Sequence, residues 1–335
     1  MKTLKFAEAI ESAIKQAMEE DKNIIILGED VHTLRVNLLT QFGKDRVIST
    51  PISEGGFLGM GVAAAMAGLR PIVEIMMIDF IAVAMDAILN HAAKIYFFSG
   101  GKWNVPIVIR ASCGGGYGDG GQHEQSLWGW LAHIPGVSLV VPSRPINAGG
   151  LMYSALKQDH PVIYLEHKLL SHYWLDYLGL GGRKNIKIDV PAEGSEGSWP
   201  DKWTSIPLGK AEILKQGTDI TLVGVGVDVH RALEAAKILQ DKKINAEVID
   251  LQSISPLDIK TIKDSVEKTK SILVIDEDYK MFGLSGEIAA LLLEHGLSFK
   301  YGRVCTETTI PFNLEKELKT LPNINSIIEE ALKLK

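Results

Sequence analysis

At 335 residues the chain is long enough for two domains of ordinary size, each with its own core. Its 46% hydrophobic and 23% charged residues are those of a soluble globular protein, and a net charge of −6 without a basic run argues against nucleic acid as a partner. Two cysteines far apart, Cys113 and Cys305, exclude a disulfide framework and a cysteine metal site, and point to a reducing, cytoplasmic compartment.

Residues 1–23 predict an amphipathic helix rather than a signal peptide. Leu4, Ala7, Ile10, Ile14, Ala17 and Met18 recur at helical spacing, with acidic residues among them. Apolar runs rich in β-branched residues then predict strands at Ile24–Leu27, Val47–Ser49, Pro71–Met76, Pro106–Arg110, Ser138–Val141 and Val162–Glu166. Helices are expected between them over Gly56–Gly68, Ala82–Phe97, Ser126–His133 and Ile146–Lys157. The second of these carries an apolar stripe (Ile81, Met85, Ile88, Ala92, Ile95) and a polar one (Asp86, Asn90, Lys94). The most apolar region, Val62–Leu89, is interrupted by Arg70, Pro71, Glu74 and Asp79, which excludes a membrane span.

From Asp176 to Leu208 the composition shifts to Gly, Pro, Ser and charge, as in a connection draped over the surface, with Trp199 and Trp203 as anchors. A second alternation follows, with strands at Ile220–Val225, Ala246–Leu251 and Ile272–Ile275 and helices at His230–Gln240 and Glu287–His295. The predicted organisation is a domain at 1–180, a linker at 181–208 and a domain at 209–335. Both domains are α/β, each with a mostly parallel sheet flanked by helices.

Two stretches invite chemistry. Glu54, in Pro51-Ile52-Ser53-Glu54-Gly55-Gly56, lies between a Pro-restricted strand end and the small-residue helix Gly59–Gly68. Close backbone around it favours a protonated carboxyl or a strong hydrogen-bond partner, although a helix-start glutamate also complements the helix dipole. The glycine-rich run Cys113–His123 is either mobile or shaped to let a ligand approach its backbone, and it ends on His123, a residue type suited to proton transfer.

The stretch Pro51–Phe80 (PISEGGFLGMGVAAAMAGLRPIVEIMMIDF) resembles the signature of the beta subunit of 2-oxo acid dehydrogenase E1 components, the thiamine-diphosphate enzymes that decarboxylate 2-oxo acids. The likeness continues through Asn90-His91-Ala92-Ala93-Lys94, Ser99-Gly100-Gly101, Gly121-Gln122-His123 and Pro135-Gly136-Val137. It covers essentially the whole chain, with a second half similar to the transketolase C-terminal domain. It implies a pyrimidine-binding first domain in which the Glu54 carboxyl shares a proton with N1′ of the cofactor's pyrimidine, and Phe80 packs on that ring. It implies that His123 stabilises or protonates intermediates and guides acyl transfer to a lipoyl arm. It also implies a site shared with an alpha subunit that holds Mg²⁺ and the diphosphate, in an assembly of two alpha and two beta chains. The lipoyl-bearing E2 acyltransferase is the further partner.

The family usually has serine after this histidine, whereas this chain has Glu124, a departure able to raise the imidazole pKa or alter the loop. His91 and His133 are expected to be structural, His133 as a packed, hydrogen-bonded residue. Two look-alike motifs are set aside. Gly118-Asp119-Gly120 with Asn147 imitates a diphosphate-and-metal motif but lies in a glycine run, not after a buried strand. Gly224-Val225-Gly226 with Asp250 imitates a dinucleotide fingerprint but lacks the third glycine. A structural alkali-metal site, held in some relatives by backbone carbonyls, would fall near Ile107 and Ala155–His160. Competing readings are an acetoin-cleaving complex of the same architecture and a non-catalytic subunit that docks the acyltransferase. A self-sufficient transketolase-type enzyme is disfavoured for want of a third, diphosphate-binding domain.

Overall fold

The computed structural model describes residues 3–171, 196–198 and 200–335. In chain order the strands are β1 (Thr3–Lys5), β2 (Ile24–Glu29), β3 (Val47–Thr50), β4 (Arg70–Met77), β5 (Val108–Cys113), β6 (Ser138–Val140) and β7 (Val162–His167). They continue with β8 (Glu196–Ser198), β9 (Glu212–Lys215), β10 (Ile220–Gly224), β11 (Ala246–Asp250), β12 (Ser253–Ser255), β13 (Ser271–Tyr279) and β14 (Lys300–Thr306). Seven form a sheet in the order β12-β6-β7-β5-β4-β2-β3, parallel except at the β12 edge. Five form a second sheet, β14-β13-β10-β11-β9, parallel except at the β9 edge.

Parallel strands need both faces covered, and β2, β5 and β7 are buried along nearly their whole length, with apolar residues leading each run. Helices Phe6–Glu20 and Pro145–Ala155 cover one face of the first sheet with Ile10, Ile14, Met18, Leu151 and Met152. Helix Glu54–Met66 and the segment after β4 cover the other with Leu58, Ile81 and Ile88. That second layer runs on without a break into Val223, Ile249, Ile272 and Leu284, so one core cements the two halves. No single helix among the described residues is long and apolar enough to cross a membrane.

Of the elements that differ from expectation, two bear on the first sheet. The helix expected over Ala82–Phe97 is broken into a 3₁₀ turn Ile78–Ala84, a π-type turn Ala87–Ala92 and one α-helical turn Ile95–Phe98. The tighter 3₁₀ winding eclipses residues three apart, which turns Ile78, Ile81 and Ala84 together into the core. The polar stripe survives, with Asn90 Nδ2 donating to Asp86 Oδ1 at 2.6 Å. Strand β12 was not expected at all. It comes from the second half yet closes the edge of the first sheet beside β6, and three residues are too few to show a period.

Most of the expected linker, including Trp199, lies outside the described residues. Trp203 is buried between the two helices of the outer face. Its indole Nε1 donates to Ser12 Oγ at 2.7 Å and its backbone N to Gln16 Oε1 at 2.8 Å. A Cβ at Gly149 would lie 2.2 Å from the indole, so glycine there makes the seat. Trp203→Ala is expected to cost about 3–5 kcal/mol, read as a lowered urea midpoint, and an unchanged midpoint would show that the indole anchors nothing.

Candidate active site at the carboxyl edge of the first sheet

The carboxyl ends of β2, β3, β4, β5 and β7 open onto one edge, and the path from β3 to β4 jumps over β2, which parts the loops there. Glu54 stands in that opening as the first residue of its helix, 9% exposed, and it hydrogen-bonds to none of the described residues. Glu29, at the end of β2, faces it. Burial first, then Asp30 and Glu54, push the Glu29 carboxyl above its ordinary range. Nothing in the sequence singled out Glu29 beyond its place at the end of an apolar run.

The helix start reaches the turn after β4, where a Cβ on Gly55 would come within 3.3 Å of the Val83 carbonyl oxygen. That turn carries Phe80, half-buried, whose ring meets the imidazole of His123 edge-on with centroids 5.8 Å apart. Phe80 and His123 are thus in contact, and Glu54 lies on the helix that packs against Phe80's turn. No hydrogen bond joins Glu54 to His123. Next to Phe80, Asp79 accepts from Gln125 Nε2 at 2.7 Å, and Gln125 in turn accepts from the Tyr279 hydroxyl of the second domain at 3.0 Å.

The glycine run proves to be shaped for the second domain rather than for a ligand. Three successive backbone N–H groups end on three buried carboxyls: Gly115 on Glu277 at 3.0 Å, Gly116 on Glu317 at 2.5 Å and Tyr117 on Glu124 at 3.0 Å. Gly118 and Gly120 adopt φ +83° and +72°, and a Cβ on either would press within 3.2 Å of the backbone at Leu314 and Phe312. Gly121 N donates to Ile310 O at 2.9 Å. Lys168, buried at the end of β7 and unforeseen in the sequence, donates its ammonium to the His123 carbonyl oxygen. Burial pulls the Lys168 pKa down, and Glu124 and Asp79 oppose that pull.

Glu277 is the hub that ties this loop to the second sheet. It accepts from His167 Nε2 at 2.9 Å, Arg231 Nη1 at 2.8 Å and Ser126 Oγ at 3.1 Å as well as from Gly115. His167 Nδ1 accepts from Leu169 N at 3.2 Å, which fixes the tautomer with its proton on Nε2. Behind the site, β4, β5 and β7 carry a buried ion ladder in which Arg110 bonds Glu74 at 2.7 Å and Glu166 at 2.9 Å, with Arg35 on Glu74 at 2.9 Å.

His133 is exposed, not packed, because the helix Trp128–Ala132 ends one residue earlier and turns it outward. His91 is an exposed residue paired with Asp86 at 3.3 Å. Asn147 caps its own helix through Arg144 N and donates to Asp250 at 3.0 Å, remote from Asp119's loop. The Gly226 turn rests on Val141 and His167. In the carbonyl turn near Ala155–His160, Arg70 takes the oxygens of Leu156 and Gln158 at 3.1 and 2.5 Å.

Residues 2–172 match the family described as transketolase, pyrimidine binding domain, and residues 209–327 that described as transketolase, C-terminal domain. The chain is 37% identical, over 99% of its length and 97% of the relative, to the beta subunit of acetoin:2,6-dichlorophenolindophenol oxidoreductase of Bacillus subtilis (strain 168). It is 35% identical to the mitochondrial pyruvate dehydrogenase E1 component subunit beta of Dictyostelium discoideum, over 97% of this chain and 89% of the relative. It is 38% identical to the 2-oxoisovalerate dehydrogenase subunit beta of Bacillus subtilis (strain 168), over 89% and 86%. A solved structure titled split gene transketolase, inactive beta4 tetramer, shares the fold with a TM-score of 0.78 at 20% identity, over 99% of this chain and 98% of that one.

Proposed function

Since the chain belongs to the transketolase-type family that includes the beta subunits of 2-oxo acid dehydrogenase E1 components, we propose that it is such a subunit. Its reaction is the thiamine-diphosphate-dependent oxidative decarboxylation of a 2-oxo acid, with the acyl group passed to a lipoyl group. The observation that carries this reading is Glu54, a buried acid without a hydrogen-bond partner among the described residues, on the helix that packs against the Phe80 turn. A carboxyl that stands in the cleft without a side-chain partner among the described residues is placed to meet an occupant, and a ring nitrogen that shares a proton with a carboxyl suits it. The half-buried ring of Phe80 suits the flat face of the same heterocycle.

Bound thiamine diphosphate supplies the nucleophilic carbon and the electron sink for loss of carbon dioxide. Glu54 presents its carboxyl at the cleft, where it can share a proton with a ring nitrogen, and it stands opposite Glu29. His123 has no side-chain hydrogen bond to the described residues, which leaves its imidazole free to give or take a proton beside Phe80. Gln125 links its side chain to that of Asp79 beside Phe80, and Lys168 holds the His123 carbonyl.

We assign Mg²⁺ and the diphosphate to a partner alpha chain in a cytoplasmic alpha2beta2 assembly served by a lipoyl-bearing E2. Asn147, engaged with Asp250, supports that assignment. So does the outward apolar surface of Phe97 and Phe98, 81% and 72% exposed, which suits cover by another chain. The test is to purify the chain alone and with its alpha partner, and to compare rates with pyruvate, branched-chain 2-oxo acids and acetoin. Decarboxylation should require both chains. Full activity of the isolated chain would contradict the shared site, and turnover confined to acetoin would move the assignment to the acetoin-cleaving branch that one relative represents.

A further inference from the structure

We propose that Glu124 and Glu317 share a single proton and act as a positioning pair that locks the His123 loop onto the second domain. The inference rests, for its catalytic consequence only, on the role of His123 given above. Glu124 follows His123 directly, and Glu317 lies in the helix Leu314–Thr320 of the other domain. Neither exposes any surface. One oxygen of each is accounted for, by Tyr117 N at 3.0 Å and by Gly116 N at 2.5 Å. The other oxygen of each is buried and takes no hydrogen bond from a described donor, and the two carboxyls lie side by side on the adjacent N–H groups of Gly116 and Tyr117. Carboxylates are acceptors only, so two neighbouring buried carboxyls with an unpaired oxygen each can satisfy one another only through a proton between them.

The surroundings agree. The groups that face the pair are the Lys168 ammonium, the backbone at Asp119 and the Tyr117 ring, with Asp79 and Cys113 on the far side of Lys168. With one shared proton the pair carries one negative charge, which Lys168 balances. Burial and then Glu317 push Glu124 up to about 9, against the pull of Lys168. Lys168 also holds the His123 carbonyl, so the residue pair 123–124 is gripped from both sides. A serine at position 124 would leave Glu317 with one buried oxygen and nothing to share it with.

The pH dependence has a definite sign. An unfolded glutamate gives up its proton near 4.5 and the folded pair keeps it to about 9. The pair's contribution to stability is therefore complete below the lower value and is lost as pH rises through the upper one.

The experiment uses Glu124→Gln, Glu317→Gln and Glu124→Ala. In the chain alone at neutral pH, the infrared carbonyl stretch of protonated carboxylic acids should be weaker in Glu124→Gln and in Glu317→Gln than in wild type, by the share of one acid, with the remainder left to groups such as Asp228 and Asp278. Between pH 4.5 and 9 the wild-type unfolding constant should rise more steeply than that of Glu124→Gln, by up to about tenfold per pH unit. An unchanged band and an unchanged pH slope in the glutamine variants would overturn proton sharing, whatever the enzyme's substrate. In the complex with its alpha partner, Glu124→Ala should lower kcat about 10–100-fold with little change in KM. Glu124→Gln, whose amide can still donate to Glu317, should recover most of that loss at neutral pH. Equal kcat and equal pH profiles in the alanine and glutamine variants would overturn the positioning role while leaving the proposed reaction intact.

Discussion

Replacing Glu54 with glutamine is expected to lower 2-oxo acid decarboxylation by the assembled alpha and beta chains about 10²–10⁴-fold, with folding and assembly retained. Glutamine matches glutamate in shape but has no acidic proton to share with a ring nitrogen. Stability should hold or rise slightly, because Glu54 makes no hydrogen bond to the described residues and stands opposite Glu29, whose carboxyl it disfavours as a charge. That opposition of stability and activity is what a group kept for chemistry shows. Steady-state rates and thermal unfolding of the same preparation separate the two effects. A variant with wild-type turnover would remove Glu54 from its role, and one that is inactive only because it unfolds would make it a packing residue.

The second large effect is expected at Glu277. Glu277→Gln should destabilise the chain by about 3 kcal/mol, since it takes away one of the two buried carboxyls that Arg231 bonds, at 2.8 Å, and leaves only Asp228 at 3.0 Å. Glutamine keeps the shape but offers one acceptor oxygen, where the carboxylate offers two to Gly115, Ser126, His167 and Arg231. Despite full burial, His167 and Arg231 hold the Glu277 carboxyl far below the usual carboxylate range. A group lowered in this way stabilises the fold above the ordinary carboxylate pKa, and that contribution is lost as pH falls through the folded value. The variant should therefore show a flatter acid limb in its urea midpoint against pH. An acid limb identical to wild type would mean that the hub contributes no net charge interaction. Because Gly115 hangs on Glu277, amide exchange across the loop to Gln125 should also quicken.

Much of the fold was legible because periodicity survives in a parallel sheet. The runs at Ile24, Val162, Ile220 and Ala246 became central strands, and the amphipathic pattern of Phe6–Glu20 put Ile10 and Ile14 into the core. The candidate site was legible in its residue types and in the motif around them, with Glu54, Phe80 and His123 drawn from three separate loops. Glu29 and Lys168 were not, since one acid or one lysine at the end of an apolar run has no period to betray it. The glycine run from Gly114 to Gly121 was misread for a related reason. Glycine announces close approach but never says what approaches, and here it is the second domain's Leu314, Phe312 and Ile310.

Local sequence, then, determined the two α/β halves, the small-residue helix that begins at Glu54 and the family to which the chain belongs, because each is written in nearest-neighbour pattern. Only the tertiary structure decided that β12 crosses to the other sheet, that Glu277 and Glu317 reach over to clamp the loop, and that Glu124 meets a second carboxyl. Those contacts join residues about 110 to 200 positions apart, and their energies depend on burial and on who else is charged nearby, quantities that exist only once the chain has folded.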